Sequence, residues 1–405
     1  MLTNIQLTFV KGNVILQKSD NLMTEIIYLD YAATTPLDKD VYKEIKPFLT
    51  DHYGNSASLH SLGNYAKERV EDARENIKKK LNANNYKLIF TSGGTESNNL
   101  ALKGIANSYK EKGKHIIVSK IEHDCILNTA KFLEKEGFEV TYLDVNKEGF
   151  IDLETLKKKI RKDTILVSII HANNEIGTVQ NIKEIGRICK EKETLFHTDA
   201  CQSFTKIPID LEEDNISLIT INAHKIYGPK GVGALLVKNG IKITPLLHGG
   251  GHEYNLRSGT LNVSGIVGFS KATEVITKED VIRMTELRDY LISKVLKKIP
   301  SAKLNGPKEN RLCNNINFRF NYIEGESILL HLDLLGIKVS TGSACSSNTL
   351  QTNHVIKAID VKPEETNGVI RISLGKETTK KEIEKVIEVL PIIIEKLTKM
   401  SPFSK

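Results

Sequence analysis

Short apolar runs alternate with longer stretches rich in lysine and glutamate through most of the chain. The apolar runs have the length of buried strands and fall at residues 88–90, 116–119, 165–170, 195–197, 218–221 and 232–237. The stretches between them have helical spacing, as at residues 98–109, 126–136 and 182–191. Strands that alternate with helices predict parallel crossovers and a sheet covered on both faces, with ligands bound beyond the carboxyl ends of its strands.

Length and composition place the chain among ordinary globular proteins. Its 405 residues predict two or three domains, and 40% hydrophobic with 26% charged residues argues against disorder or a coiled coil. We find no apolar stretch long enough for a membrane span and no secretory or transit signal at the start, so we expect a cytoplasmic protein. The first 22 residues are polar and irregular, and residues 1–25 are interpreted as a tail of doubtful order.

Charge and cysteine content narrow the class further. The net charge of +7 is spread among alternating acidic and basic residues rather than gathered in one stripe, so direct nucleic-acid binding is not expected. The five cysteines are odd in number and form no Cys-x-x-Cys pair, which disfavours a structural zinc site and a disulfide framework. The remaining interpretations of the cysteines are buried thiols or one reactive thiol.

Two polar clusters follow predicted strands without an obvious packing reason. The first is Thr91-Ser-Gly-Gly-Thr-Glu-Ser-Asn-Asn99, in which Gly93, Gly94 and Thr95 could hold a phosphate at a helix start. A plain capped turn is the alternative, and the spacing fits neither a dinucleotide fingerprint nor a Walker loop. The second is 171–177, where Asn173 and Asn174 could serve a site or only form a turn.

Two further clusters carry charge at strand ends. Asp199 ends a predicted buried strand and therefore needs a cationic partner or a role. Lys225 follows another strand and precedes a Gly/Pro turn, where burial would lower its pKa and free the amine as a nucleophile, although most lysines of this chain are surface residues. A phosphate cradle, a carboxylate and a sheltered lysine are together what pyridoxal 5′-phosphate requires.

Cys345 has sequence neighbours that are unusual for a cysteine. Residues 340–349 are nearly all small or polar and lack periodicity, which predicts a flexible loop carrying the thiol of Cys345. We interpret Cys345 as reactive, although cysteine is more often a small core residue. Cys125, Cys189 and Cys313 are expected to be inert, while Cys201 beside Asp199 stays open.

Seven segments, in order, closely resemble the cysteine desulfurases, in particular the group that supplies sulfur for iron–sulfur clusters and nitrogenase. They are residues 28–36, 91–99, 171–177, 223–231, 248–253, 257–260 and 341–347. The resemblance implies an α/β fold of the pyridoxal-phosphate-dependent aminotransferase type (fold type I), with a large mostly parallel-sheet domain and a smaller α+β domain. We place the large domain at 26–275, with its first residues able to join the small one, and the small domain at 276–405.

The resemblance also implies a homodimer that converts L-cysteine to L-alanine and leaves sulfur on Cys345 as a persulfide. Lys225 would hold the cofactor as a Schiff base, Asp199 its ring nitrogen and Gln202 its ring oxygen, while His123 would stack on the ring and move protons. The implied phosphate ligands are Gly94, Thr95, Asn222, His224 and, from the partner subunit, Thr260. Asn174 would lie beside both the cofactor oxygen and the substrate, and Arg371 would grip the substrate carboxylate.

Sulfur would pass to an iron–sulfur scaffold or another acceptor protein, and Cys345 could then be an iron ligand during cluster transfer. Three departures from the family pattern stand out: Asn222 replaces a usual serine, no proline follows Asn55, and residues 350–354 lack the usual acidic-Pro pair. The alternatives are a selenocysteine lyase, a related aminotransferase, or a binding protein that kept the fold without the chemistry.

Overall fold

The computed structural model describes residues 5–10, 13–18, 26–341, 353–362 and 365–402, the first two ranges by backbone alone. Elements are numbered in chain order. Strands β1 (Ile5–Val10) and β2 (Asn13–Lys18) pair antiparallel in a sheet of their own. The sequence analysis did not predict these two strands, and its interpretation of residues 1–25 as a tail of doubtful order stays a prediction. The signal for β1 was the alternation of Ile5, Leu7 and Phe9 with polar residues, a strand pattern.

A seven-stranded sheet forms the centre of the molecule, in the order β4-β10-β9-β8-β7-β5-β6. Its strands are β4 (Tyr86–Thr91), β5 (His115–Ser119), β6 (Glu139–Leu143), β7 (Thr164–Ser168), β8 (Leu195–Asp199), β9 (Leu218–Asn222) and β10 (Gly233–Lys238). β10 runs antiparallel to both of its neighbours, and the pairs from β9 to β6 are parallel. The predicted mostly parallel sheet is thus confirmed, and the carboxyl ends of its parallel strands share one edge.

Helices cover both faces of this sheet because successive strand residues point to opposite sides. On β4, Leu88 packs in the same apolar cluster as Val70, whereas Ile89 packs with Leu100 in a second cluster. The helices of this part are α1 (Lys39–Ile45), α2 (Pro47–Thr50), α3 (Ser61–Lys80), α4 (Gly94–Tyr109), α5 (Asp124–Lys135), α6 (Leu153–Lys159), α7 (Ile182–Glu191) and α8 (Val263–Ala272). α4 begins four residues before the predicted start, so the Gly-rich turn is its first turn.

A smaller α+β unit follows. Its three-stranded antiparallel sheet has the order β11-β12-β14, made of β11 (Lys303–Leu304), β12 (Asn315–Arg319) and β14 (Val369–Ser373). Its helices are α9 (Lys278–Lys298), α10 (Gly325–Leu334), α11 (His354–Ala358) and α12 (Lys380–Met400). Capping boxes at Thr277/Asp280 and Thr379/Glu382 start α9 and α12.

The beginning of the described main body joins this smaller unit. β3 (Ile27–Tyr28) pairs in parallel with β13 (Ile337–Lys338), and Asp30 forms a bridge with Ser373. From there the chain crosses to the large sheet, where Thr35 hydrogen-bonds His224 and Tyr227. Residues 29–35 therefore lie between the two units, next to the strand ends. The domain limits at 275 and 276 stay a prediction. Among the described residues, no helix has the length and apolar character needed to cross a membrane.

Candidate active site

A cavity of about 210 Å³ opens at the carboxyl ends of the parallel strands. Nine residues that the sequence singled out line it together: Gly94, Thr95, His123, Asn174, Asp199, Gln202, Asn222, His224 and Lys225. The other lining residues are Ala33, Asn98, Cys125, Ile170 and Cys201. A larger cavity of about 690 Å³ lies elsewhere and contains none of the predicted site residues.

The Gly-rich turn forms one wall of the cavity. Gly93 precedes α4 with φ 154°, a backbone conformation that side chains disfavour, and it has no side chain to cap the first amides of the helix. A methyl group added at Gly94 would come within 2.7 Å of Cys201 Sγ, so this position accepts only glycine without movement. The start of α4 therefore presents backbone amides and a positive dipole end to the cavity, as an anion requires.

Lys225 stands opposite, three residues after the end of β9. Burial lowers its pKa and the nearby guanidinium of Arg371 lowers it further, while Cys201 and Asp199 act in the other direction. No described residue accepts a hydrogen bond from its Nζ. The main-chain oxygen of Lys225 is held by Lys206, whose Nζ lies 3.3 Å away and also bonds the oxygen of Gln202 at 3.0 Å. The backbone of Lys225 is thus held in place, while its amine has no acceptor among the described residues.

Asp199 is the last residue of β8 and is buried. Its Oδ2 accepts a hydrogen bond from Asn98 Nδ2 at 2.7 Å, and its Oδ1 accepts one from the amide of Cys201 at 2.9 Å. Both donors are neutral, and none of the ion pairs in the described part of the chain includes Asp199. The carboxylate is oriented by α4 and β8 but still lacks the cationic partner that its burial calls for.

His123 caps the start of α5. Its Nδ1 accepts a hydrogen bond from the amide of Cys125 at 3.1 Å, and the thiol of Cys125 lies 3.1 Å from the same nitrogen. Burial lowers the pKa of His123, and the charge of Lys225 adds to the effect. Burial raises the pKa of Cys125 to about 12, so this thiol stays protonated at neutral pH.

The two adjacent asparagines of the second cluster have different tasks. Asn173 forms a turn, since its Oδ1 accepts the amides of Glu175 and Ile176. Asn174 lines the cavity, and its main-chain oxygen accepts a hydrogen bond from Arg371 Nη1 at 3.2 Å. The sequence alone did not separate them, because a turn residue and a binding residue are both polar at a strand end.

Arg371 lies on β14 and is only 1% exposed. Its Nη2 donates to Asp30 Oδ1 at 2.9 Å, while its Nε has no hydrogen-bond partner within the described structure. A buried guanidinium nitrogen without an acceptor is costly, which indicates that this edge of the side chain awaits an anionic group. Its contact with Asn174 brings Arg371 to the edge of the cavity, although it is not part of the lining.

Two predicted residues lie elsewhere. Thr260 is exposed and does not line the cavity of its own chain. Cys345 lies outside the described residues, so its place relative to Lys225 stays a prediction, as does its metal-binding role. Within the described ranges, no group of three or more His, Cys, Asp or Glu side chains could hold a metal ion. Sequence reasoning missed Asn98, although it belongs to the first polar cluster and follows the phosphate-type turn.

Comparison with known proteins identifies the class. The aminotransferase class-V family model matches residues 27–386. The chain is 54% identical over 386 residues to a protein named cysteine desulfurase IscS from Dictyoglomus turgidum, covering 95% of this chain and 98% of the relative. Two solved structures are similar: a NifS-like protein (TM-score 0.86, 38% identity, 92% of this chain and 100% of the other) and SspA in complex with cysteine (0.79, 38%, 87% and 100%).

The chain therefore belongs to the class-V aminotransferase family, with the predicted fold type I. Within that family it is a cysteine desulfurase whose cofactor is pyridoxal 5′-phosphate. The resemblance drawn from the sequence motifs is confirmed.

The residues of the cavity fit this cofactor. Its phosphate needs an anion site, its ring nitrogen an acidic partner and its aldehyde an amine, and the cavity supplies the start of α4, Asp199 and Lys225. Asn222 is buried on the same wall, and its Nδ2, the atom of the amide that can donate to a phosphate, lies 3.5 Å from where a methyl group on Gly94 would stand. Cys201 contributes bulk beside Gly94, and burial raises the pKa of its thiol.

Proposed function

We propose that this enzyme removes sulfur from L-cysteine, releases L-alanine and captures the sulfur as a persulfide on Cys345. The observation that carries the proposal is the convergence of Lys225 and Asp199 on one cavity at the strand ends, with Arg371 held at its edge by the contact with Asn174. A relative of 38% identity was solved in complex with cysteine, which supports this substrate class.

The substrate is held by its carboxylate. Within the described residues the Nε of Arg371 has no partner, and Asp30 and the oxygen of Asn174 orient its guanidinium, so it can grip a carboxylate with two parallel hydrogen bonds. Asn174 lines the cavity next to this guanidinium. The L-amino acid is thereby oriented with its α-carbon toward Lys225.

Pyridoxal phosphate, when bound, supplies an electron-accepting ring for charge that develops on the α-carbon. Asp199 would pair with the ring nitrogen and Gln202 with the ring oxygen, while Gly94, Thr95, Asn222 and His224 would hold the phosphate. Burial lowers the pKa of His224 to about 4, so its imidazole is neutral at pH 7. The lowered pKa of Lys225 leaves its amine able to take the α-proton and return it.

Sulfur transfer balances without an external oxidant. The thiolate of Cys345 forms a bond to the substrate sulfur, the substrate Cβ–S bond breaks, and its electron pair stays on carbon, which takes up a proton to give alanine. The persulfide would then pass to an iron–sulfur scaffold or another acceptor protein.

Single cysteine variants test the thiol. Cys345→Ala should keep the visible absorbance of the bound cofactor but abolish sulfide release from cysteine, whereas Cys189→Ala, a buried cysteine of α7, should retain both. Turnover unchanged by Cys345→Ala would favour the selenocysteine lyase or aminotransferase alternative. A colourless protein that Lys225→Ala does not alter would instead indicate a binding protein.

We also propose that the enzyme is a homodimer in which Thr260 completes the phosphate site of the partner. Thr260 is exposed in its own chain. Large apolar side chains are exposed on the N-terminal helices and the loop between them, among them Leu49 at 60%, Tyr53 at 72% and Leu59 at 92%. Such side chains on a second copy would cover one another.

Mixing inactive variants tests this arrangement. Thr260→Ala and Lys225→Ala chains, refolded together, should form mixed dimers with one intact site and recover part of the activity. Recovery will not occur if Thr260 serves its own chain, because every mixed dimer then keeps two defective sites.

A further inference from the structure

His123 is held by donors on one side of its ring only. Its Nδ1 lies 3.1 Å from the backbone nitrogen of Cys125, which carries a hydrogen and can only donate. Nδ1 must therefore present its lone pair. In the neutral ring, the single proton then sits on Nε2.

The thiol of Cys125 strengthens the same assignment. Its Sγ accepts a hydrogen bond from Asn98 Nδ2 at 3.1 Å and lies 3.1 Å from His123 Nδ1. Because burial keeps this thiol protonated, its S–H can be donated to the Nδ1 lone pair. A proton placed on Nδ1 would meet two donors at the positive end of α5.

The charged groups around the ring also oppose an imidazolium ion. Lys225, after β9, and His354, at the start of α11, lower the pKa of His123, and burial is the largest cause in the same direction. Asp199 on β8 and Asp124 on α5 act in the opposite direction and are outweighed. Nε2 has no hydrogen-bond partner among the described residues, which leaves its N–H for a ligand in the cavity.

We propose that His123 serves as a fixed hydrogen-bond donor through Nε2, oriented by Cys125, and does not carry a proton during the reaction. A neutral imidazole with Nε2–H cannot release that proton at ordinary pH, since the product would be an imidazolate. It can donate a hydrogen bond to the cofactor or substrate throughout turnover. The proton transfers then belong to Lys225. This inference rests on the proposed function and replaces the expectation that His123 moves protons.

The nitrogen chemical shifts of His123 test the tautomer directly in the holoenzyme. With ¹⁵N-labelled histidine, and His123→Gln to assign the signal, Nδ1 should be pyridine-like and Nε2 pyrrole-like at neutral pH. A pyrrole-like Nδ1, or an imidazolium signal near neutral pH, would overturn the proposal. This readout uses no substrate, so it stands or falls independently of cysteine turnover.

Two variants add a kinetic readout. His123→Gln keeps a donor at about the reach of Nε2 but cannot carry a proton, and should retain turnover within about tenfold. His123→Asn keeps the helix cap but does not reach as far, and should lose more. If His123 is a proton carrier, the Gln variant should instead fall by about 10² to 10⁴, with loss of one limb of the pH profile.

Discussion

Arg371 Nη2 and Asp30 Oδ1 lie 2.9 Å apart although 341 residues separate them in the chain. The pair joins the start of the main body to β14 and fixes the guanidinium that faces Asn174. The same strand residue bridges Ser340, which leads into the segment carrying Cys345. The proposed carboxylate ligand Arg371 and the bridge to Ser340, which precedes the segment of Cys345, therefore lie on one strand.

Substitution at this pair should affect substrate binding more than turnover. Arg371→Lys removes the planar fork, so the KM for cysteine should rise at least about tenfold, with a smaller fall in kcat. Asp30→Asn should raise KM less, because it only loosens the orientation of the guanidinium. Alanine formation at varied cysteine concentration measures both. Arg319→Lys is the control. Arg319 lies on the neighbouring strand β12 and pairs with Glu365, so this substitution should leave KM unchanged. An unaltered KM in Arg371→Lys would remove Arg371 from the substrate site.

A second buried ion pair supports the backbone behind the Gly-rich turn. The carboxylate of Glu253 bonds both terminal nitrogens of Arg74 and the amide of Phe90 on β4. Glu253 is also the first residue of a backbone arch in which Glu253, Tyr254 and Asn255 have φ of 49°, 62° and 63°. Three consecutive non-glycine residues in the left-handed region persist only where the surroundings hold them.

Breaking the Arg74–Glu253 pair should lower the stability of the folded protein substantially. Glu253→Gln removes the buried one of the two carboxylates that pair with Arg74 and leaves only Glu71, which is 52% exposed, so it should lower the free energy of unfolding by up to about 3 to 5 kcal/mol. The exposed pair Arg161–Glu139 is the matched control, and Glu139→Gln should cost no more than about 1 kcal/mol. Urea denaturation of the two variants compares them. Equal costs would mean that burial of the Glu253 pair has no energetic consequence.

Substitution of the strained residue Thr205 should instead raise the stability of the protein. This β-branched residue has φ 66°, and its buried hydroxyl has no hydrogen-bond partner in the part of the chain that the structure describes. It lies in the turn between Gln202 and Lys206, behind the cofactor cavity. Thr205→Gly removes the left-handed strain and the unpaired hydroxyl, and after the entropy of glycine is subtracted it should stabilise by about 1 kcal/mol. Thr205→Ala keeps the strain and should gain less. The denaturation midpoints of both variants decide this, and a lower midpoint for the glycine variant would contradict it.

The sequence predicted those parts of the molecule that local chemistry determines. Alternating patterns located the strands, and residue type at strand ends located Lys225, Asp199 and the Gly-rich turn, because parallel strands bring their carboxyl ends together. It could not predict that Asn98 orients Asp199, since that contact depends on how α4 sits on the sheet. The pairing of Arg371 with Asp30 and of Arg74 with Glu253 was equally hidden, because each joins residues far apart in the chain. The hairpin at residues 5–18 was missed although its alternation was visible.

Glu122 gives the protein a pH-dependent stability. Its carboxyl group is fully buried beside His123, where Oε1 accepts hydrogen bonds from Ser119 and Ile170, and Oε2 has no partner among the described residues. Burial raises its pKa from 4.5 to about 8. The folded state therefore binds a proton that the unfolded state has lost, and between pH 4.5 and about 8 this group makes stability fall as pH rises.

Glu122→Gln should remove that dependence. Relative to the wild type, the variant should gain up to about 1.4 kcal/mol of stability for each pH unit through this window, because the amide cannot ionise. Denaturation midpoints at several pH values measure the difference, with the exposed Glu111→Gln as control, which should follow the wild type throughout. A constant difference between Glu122→Gln and the wild type across the window would show that Glu122 is already ionised in the folded protein, with a charge that its two hydrogen bonds suffice to hold.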